Sequence, residues 1–143
     1  MSAPQPPPGY RLSDGPPGVE DYLRLRERAG LSPRREDQAR AALAGGWAAV
    51  HVVHETDGAV GMGRVLGDGG WYFHVVDMAV VPGHRRRGLG NLILATLLER
   101  IRAAAPPGAY VNLLADEPGR PLYRRHGFRP TAPSSIGMAR WLD

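Results

Sequence analysis

The chain has 143 residues, with 18 arginines and no lysine against 14 acidic residues, a formal net charge of +4, and no cysteine. This length suits a single domain with one core. The absence of cysteine excludes a disulfide framework, thiol catalysis and cysteine-ligated metal, and we expect no metal site. The first residues lack the apolar core of a signal peptide, and no run approaches about 20 apolar residues, so we expect a cytoplasmic protein without a membrane partner.

The positive charge is divided among separate groups. The basic residues fall mainly at Arg24 to Arg28, Arg34–Arg35, Arg85 to Arg87 and Arg124–Arg125. A nucleic-acid surface typically has one basic stripe with interleaved aromatic residues, and these arginines do not form such a stripe. We therefore expect no nucleic-acid partner, and we interpret most of these arginines as solvated helix faces.

The N-terminal half predicts one strand, two helices and a hairpin. Residues 1–9 are rich in proline, which favours a disordered arm ahead of a single domain over residues 10–143. Glycine and the apolar spacing delimit the elements that follow. These are a strand at 10–13, helices at 19–29 and 33–43, and strands at 47–55 and 59–66 around the turn Thr56-Asp57-Gly58.

The C-terminal half predicts more strands and two helices. We expect a strand at 71–81, a helix from Leu89, a strand at 110–114, a short helix near Tyr123, and final strands at 129–133 and 136–141. The helix is marked by apolar residues at helical spacing, namely Leu89, Leu92, Ile93, Leu97 and Ile101. The whole order predicts an α/β fold with a mixed, mostly antiparallel sheet of about seven strands and helices on both faces.

A glycine-rich turn at Gly88 and Gly90 stands between the fourth strand and its helix. The first N–H groups of a helix lack internal partners and point outward at the positive end of the helix dipole, which makes an anion site. Glycine allows a diphosphate to approach the main chain closely, and the arginines at 85–87 suit phosphate oxygens. The turn therefore predicts a binding site for a phosphorylated ligand.

Two common phosphate motifs do not fit this turn. The dinucleotide fingerprint needs a third glycine where Ile93 stands, and a P-loop needs a lysine. The remaining pattern, Arg85-x-x-Gly88-x-Gly90, resembles the R/Q-x-x-G-x-G/A signature of the GNAT N-acetyltransferase superfamily. The later run Pro121-Leu122-Tyr123-Arg124-Arg125-His126-Gly127-Phe128 resembles the family's short tyrosine helix, which closes on Gly-Phe. Order and spacing fit from about Tyr10 to Trp141, nearly the whole chain.

The resemblance implies acetyl-CoA as co-substrate, with its pyrophosphate on the glycine-rich turn. It implies that strands four and five are splayed, with a bulge in strand four, so that the pantetheine arm pairs with the freed main chain. The implied cofactor-binding residues are Met78, Ala79, Val80, Val81, Arg85, Arg86, Arg87, Gly88, Leu89, Gly90 and Asn91.

Three residues are candidates for the chemistry. The resemblance makes Tyr123 the acid that protonates the departing thiolate, and a phenol pKa of roughly 10 lies close to that of a thiol. Asp77 interrupts an apolar strand and is either the base or a structural carboxylate that pairs with an arginine. His74 has a better intrinsic pKa for base work, although strand alternation places it opposite Asp77 unless a bulge intervenes. An ordered water is a further alternative for the base.

We therefore expect an N-acetyltransferase that moves an acetyl group from acetyl-CoA to a primary amine of a small molecule, by direct attack in a ternary complex. Two alternatives stay open: a protein or peptide N-acetyltransferase, and a non-catalytic CoA-binding module. The resemblance also allows a homodimer.

Overall fold

The computed structural model of the protein describes residues 4–143, so the first three residues of the proline-rich arm lie outside it. The end of that arm is tied to the domain by two backbone hydrogen bonds. Pro7 O accepts from Tyr10 N at 3.2 Å, and Gly9 O accepts from Glu55 N at 2.9 Å.

The described residues form a five-stranded sheet with the strands in sequence order. The strands are β1 (Tyr10–Asp14), β2 (Ala48–His54), β3 (Gly58–Gly67), β4 (Tyr72–Val80) and β5 (Tyr110–Asn112). Neighbours from β1 to β4 are antiparallel, whereas β5 runs parallel to β4. Four helices accompany them: α1 (Val19–Arg28), α2 (Glu36–Ala44), α3 (Leu89–Ala104) and α4 (Arg120–Arg125). The mixed α/β class is therefore confirmed.

The prediction of about seven strands is wrong, because residues 129–133 and 136–141 form no strand. Pro130 and Pro133 lack the N–H that a sheet ladder needs. Among residues 129–143, the one backbone–backbone hydrogen bond joins Ser135 N to Thr131 O at 3.1 Å and closes a turn. The alternating apolar residues that suggested the last strand, including Ile136 and Met138, are instead exposed to solvent.

The sheet is packed between helices. A Cβ at Gly63 would lie 2.6 Å from Ile93 Cγ2 on α3 and 2.7 Å from Met78 Sδ, so this glycine permits close approach of α3 to β3. The next residue, Arg64, points to the opposite face, where its guanidinium donates to Ala42 O of α2 at 3.2 Å. Helices therefore cover both faces, as predicted.

The expected bulge in β4 is confirmed at Asp77. Arg64 pairs with Val76 and Met62 pairs with Ala79, so Asp77 and Met78 together face the single residue Gly63. Asp77 adopts a left-handed conformation with φ of +59°. The extra residue brings the Asp77 side chain to the face of Arg64, and the register places His74 opposite Leu66 on that same face.

Pairing between β4 and β5 is short. It comprises three residue pairs, Tyr72–Tyr110, Phe73–Val111 and His74–Asn112. From Val75 to Val80, β4 is paired with β3 on either side of the bulge but is not paired with β5.

Candidate active site

The glycine-rich turn leads directly into α3. Gly88 has a left-handed φ of +79° and caps the helix, and its carbonyl accepts the N–H of Leu92 at 3.0 Å. Within residues 4–143, the backbone N–H groups of residues 86–91 donate no hydrogen bond. Six donors at the positive end of a 16-residue helix are therefore available to an anion.

The three arginines of the turn differ in their hydrogen bonding. Arg85 donates from Nε to Val80 O at 2.9 Å and from Nη2 to Ala29 O at 3.1 Å, so it links the end of β4 to the end of α1. Arg87 donates from Nη1 to the Tyr10 hydroxyl at 2.8 Å. Arg86, with φ of +64°, is exposed and has no side-chain hydrogen bond to the described part of the chain.

The two sequence motifs meet where α4 packs against the start of α3. A Cβ at Gly90 would lie 3.2 Å from Leu122 Cδ2, and His126 Nε2 lies 2.6 Å from Asn91 Oδ1. Burial, followed by the charge of Arg125, lowers the pKa of His126, which favours a neutral ring that donates this hydrogen bond. The tyrosine helix is therefore held beside the glycine-rich turn.

Tyr123 is partly buried on α4, and its hydroxyl makes no hydrogen bond to residues 4–143. Burial, with the negative charge of Asp116 as a smaller cause, raises the pKa of this phenol. The ring lies on Gly119, where a Cβ would stand 2.8 Å from Tyr123 Cε2. Tyr123 also lines a cavity of about 930 Å³ between β5, α4 and the C-terminal segment, with Asn112, Leu114 and Ile136 among the other lining residues.

Asp77 is buried, with a side chain only 3 % exposed, and every hydrogen bond it accepts comes from the α1/α2 face. Its carboxylate accepts from Tyr22 Oη at 2.6 Å, from Arg64 Nε at 2.8 Å and from Arg26 Nη1. Burial, and then the hydrogen bond to Asp77, raise the pKa of Tyr22. The arginines extend the cluster, because Arg26 also donates to Ser32 O at 3.0 Å in the α1–α2 loop.

His74 stands at the last pair between β4 and β5. Its Nδ1 lies 2.6 Å from Asn112 Oδ1, so Nδ1 carries the proton and donates to the amide oxygen. Nε2 then presents a lone pair with no partner among residues 4–143. Asn112 Nδ2 is the one buried side-chain polar atom without a partner in the described residues.

Three residues that contact the site were missed by sequence reasoning. Asn112, Gly119 and His126 contact the predicted site residues His74, Tyr123 and Asn91. Asn112 and His126 lie 38 and 35 residues from their partners. The one available signal is that all three belong to the segment around the tyrosine helix.

The family comparison matches this geometry. The model of an acetyltransferase (GNAT) domain matches residues 46–130, which include β4, the glycine-rich turn and Tyr123. The chain belongs to the GNAT acetyltransferase family. The resemblance inferred from the two motifs is thereby confirmed, and the protein is an acyltransferase of this family.

Solved structures of acetyltransferases are similar along nearly the whole chain. A probable acetyltransferase of unknown function from methicillin-resistant Staphylococcus aureus is 36 % identical, with a TM-score of 0.87 over 93 % of this chain and 99 % of that chain. A GNAT-family protein from Streptococcus pneumoniae is 22 % identical, with a TM-score of 0.75 over 94 % of this chain and 98 % of the other.

A third similar structure has a named substrate. Glucosamine-6-phosphate N-acetyltransferase from Arabidopsis thaliana is 17 % identical, with a TM-score of 0.69 over 94 % of this chain and 99 % of that chain, and it shares the fold. Among curated proteins, none matches the chain. No helix in residues 4–143 is long and apolar enough to cross a membrane.

Proposed function

We propose that this GNAT protein transfers an acetyl group from acetyl-CoA to a primary amine of a small molecule. The observation that carries the proposal is the row of six backbone N–H groups at residues 86–91 that have no partner within residues 4–143, at a left-handed glycine that opens α3. A diphosphate fits such a row because it offers several acceptor oxygens and a negative charge at the positive end of the helix dipole.

The residues present fit the anionic end of acetyl-CoA. Arg86 and Arg87 keep unused donors beside the turn, whereas Arg85 serves mainly to tie β4 to α1. Gly88, Leu89, Gly90 and Asn91 would contribute their main-chain N–H groups. A substituent at Gly88 would meet no neighbour within 4 Å, which leaves room for the ligand there.

The pantetheine arm has a matching edge on β4. Beyond His74, β4 is unpaired with β5, so we propose that the main chain of Met78, Ala79 and Val80 pairs with the amides of the pantetheine arm as a further strand would. Val81 is less available, because its N–H donates to Val60 O at 3.0 Å and its carbonyl accepts from His84 N at 3.0 Å. Val80 O already accepts from Arg85 Nε, which limits what this residue can still offer. We propose that β4 and β5 separate beyond the pair His74–Asn112, which is the last pair between them.

Acetyl-CoA supplies an acetyl group on a thiol leaving group. In the transfer, the amine nitrogen forms a bond to the acetyl carbon, the C–S bond breaks, and the amine gives up a proton while the thiolate gains one. Tyr123 is the proposed acid. A phenol is protonated at neutral pH, burial raises its pKa further here, and the hydroxyl has no competing acceptor within residues 4–143.

His74 is the proposed base. Asn112 holds Nδ1–H and so fixes the tautomer whose free Nε2 lone pair can accept the amine proton, directly or through an ordered water. The geometry favours the structural interpretation of Asp77, since its carboxylate is engaged by two arginines and a tyrosine. The role of Asp77 as a base stays a prediction.

A matched pair of glycine variants tests the cofactor site. Gly88 and Gly108 both have a left-handed φ, of +79° and +92°, and neither has a neighbour within 4 Å of an added Cβ. Valine at either position imposes the same backbone strain, but only Gly88→Val disturbs the proposed diphosphate site. We expect Gly88→Val to abolish CoA binding in a calorimetric titration and Gly108→Val to preserve it. Equal CoA affinity in both variants would contradict the site.

The acceptor class is tested separately. Thiol release from acetyl-CoA, measured across a panel of small amines and basic peptides, should be fastest with a small primary amine. A protein that binds acetyl-CoA but releases no thiol with any acceptor is a binding module, and a preference for peptides assigns it to protein acetylation.

A further inference from the structure

A continuous chain of hydrogen bonds leads from the hairpin between β2 and β3 to the glycine-rich turn. The Asp57 carboxylate lies 2.7 Å from His84 Nε2, and His84 Nδ1 lies 2.6 Å from the Tyr10 hydroxyl. Arg87 Nη1 then donates to the same hydroxyl at 2.8 Å. Four side chains from three distant parts of the sequence are thereby connected.

Each hydrogen bond in this network has a defined donor and acceptor. Arginine can only donate, so the Tyr10 oxygen accepts from Arg87, and its own proton points to His84 Nδ1 when that ring is neutral. His84 Nε2–H then donates to Asp57, and this hydrogen bond is the main reason that the pKa of Asp57 is lowered. The His84 side chain is only 9 % exposed, so the centre of the hydrogen-bond network is buried in the fold.

His54 packs beside Tyr10 and His84, but its Nδ1 is already hydrogen-bonded within the hairpin turn. Its ring centroid lies 4.9 Å from that of Tyr10 and 4.7 Å from that of His84. His54 Nδ1 accepts the backbone N–H groups of Thr56 at 3.3 Å and Asp57 at 3.2 Å, so this lone pair closes the hairpin turn. Within residues 4–143, Arg87 links this hydrogen-bond network to the glycine-rich turn.

We propose that Tyr10 is a positioning residue, which holds the Arg87 guanidinium at the glycine-rich turn so that its remaining donors meet the diphosphate of CoA. This inference rests on the proposed function. One of the five guanidinium N–H groups is used by Tyr10, which leaves donors for phosphate. Fixing a long side chain before the ligand arrives reduces the rotamer entropy lost on binding.

The contrast among the three arginines supports a role in binding rather than in folding. Arg85 is bound to two backbone carbonyls, and Arg86 is unattached within the described residues. Arg87 is both attached and exposed, and a hydrogen bond at an exposed arginine contributes little to stability. Its attachment therefore has its main consequence at the ligand.

A double-mutant cycle in the full-length protein tests the coupling. The variants are Tyr10→Phe, Arg87→Ala and the double variant, each titrated calorimetrically with CoA and with dephospho-CoA. We expect Tyr10→Phe alone to weaken CoA binding about 5-fold, the size of one modest hydrogen bond, and Arg87→Ala to weaken it more. In the Arg87→Ala background, Tyr10→Phe should change the affinity less than about 2-fold. Both ligands should respond equally, because both carry the diphosphate.

The outcomes separate this inference from the function on which it rests. If the native protein binds no CoA, the proposed function fails. If the native protein binds CoA, additive effects of the two substitutions overturn the positioning role, and a loss seen only with CoA overturns the assignment of Arg87 to the diphosphate. Thermal melts accompany each titration, and Tyr72→Phe is the control for removing a partly exposed phenol hydroxyl elsewhere.

Discussion

Asp77 and Tyr123 are both polar groups in partly or fully buried surroundings, but their hydrogen bonding differs completely. Asp77 accepts from Tyr22, Arg26 and Arg64, which ties the bulge of β4 to α1 and β3. The Tyr123 hydroxyl has no partner in residues 4–143, and Tyr123 lines a cavity. A buried polar group whose partners are all internal stabilises the fold, whereas one without a partner is available to a ligand.

The largest expected effect is on stability, from Asp77→Ala. Removing the carboxylate leaves Arg26 and Arg64 buried without their counter-charge, and breaking a buried ion pair in this way costs about 3–5 kcal/mol. Urea unfolding followed by circular dichroism measures this loss. Asp77→Asn keeps the shape and some hydrogen bonding, so its loss should be smaller.

Asp77→Asn also separates the two roles of this residue. If the carboxylate is structural, the variant keeps its turnover in proportion to the folded fraction. A fully stable Asp77→Asn protein without activity would instead identify Asp77 as the base. The pair of measurements thereby decides the alternative that the sequence leaves open.

The next effect is on turnover, from Tyr123→Phe. Loss of a general acid typically lowers kcat by at least about 10²-fold. The melting temperature should change little, because the hydroxyl makes no hydrogen bond within the described residues. Tyr22→Phe is the matched control, since it removes a hydroxyl that donates to Asp77 at 2.6 Å and should cost about 1–3 kcal/mol of stability. Unchanged kcat in Tyr123→Phe would remove this residue from the chemistry.

The parts of this site that sequence predicts are those determined by neighbouring residues. The glycine-rich turn, α3 and the tyrosine helix follow from glycine positions and from apolar spacing over a few turns. Asp77 is 51 residues from Arg26, and Tyr10 is 77 residues from Arg87, so no local pattern pairs them. The last two predicted strands fail for a related reason, because apolar alternation does not specify a pairing partner.

The smallest effect is the dependence of stability on alkaline pH. Burial, and then the charge of Asp116, raise the pKa of Tyr123 above its ordinary value of 10.0. The folded protein therefore keeps this proton at a pH where the unfolded chain loses it. The resulting stability is present in full below the unfolded pKa and is lost as the pH rises through the folded pKa.

Urea unfolding of the native protein should accordingly show a falling free energy of unfolding between about pH 9 and 11, with a shallower slope in Tyr123→Phe. Tyr22→Phe should also flatten the slope, because burial and the bond to Asp77 raise the pKa of Tyr22. The slopes of the two variants then show how much of the pH dependence comes from Tyr22, which is buried beside a carboxylate, and how much from Tyr123, which lies beside a cavity. A slope in Tyr123→Phe equal to that of the native protein would mean that solvent reaches this hydroxyl freely and that burial does not raise its pKa.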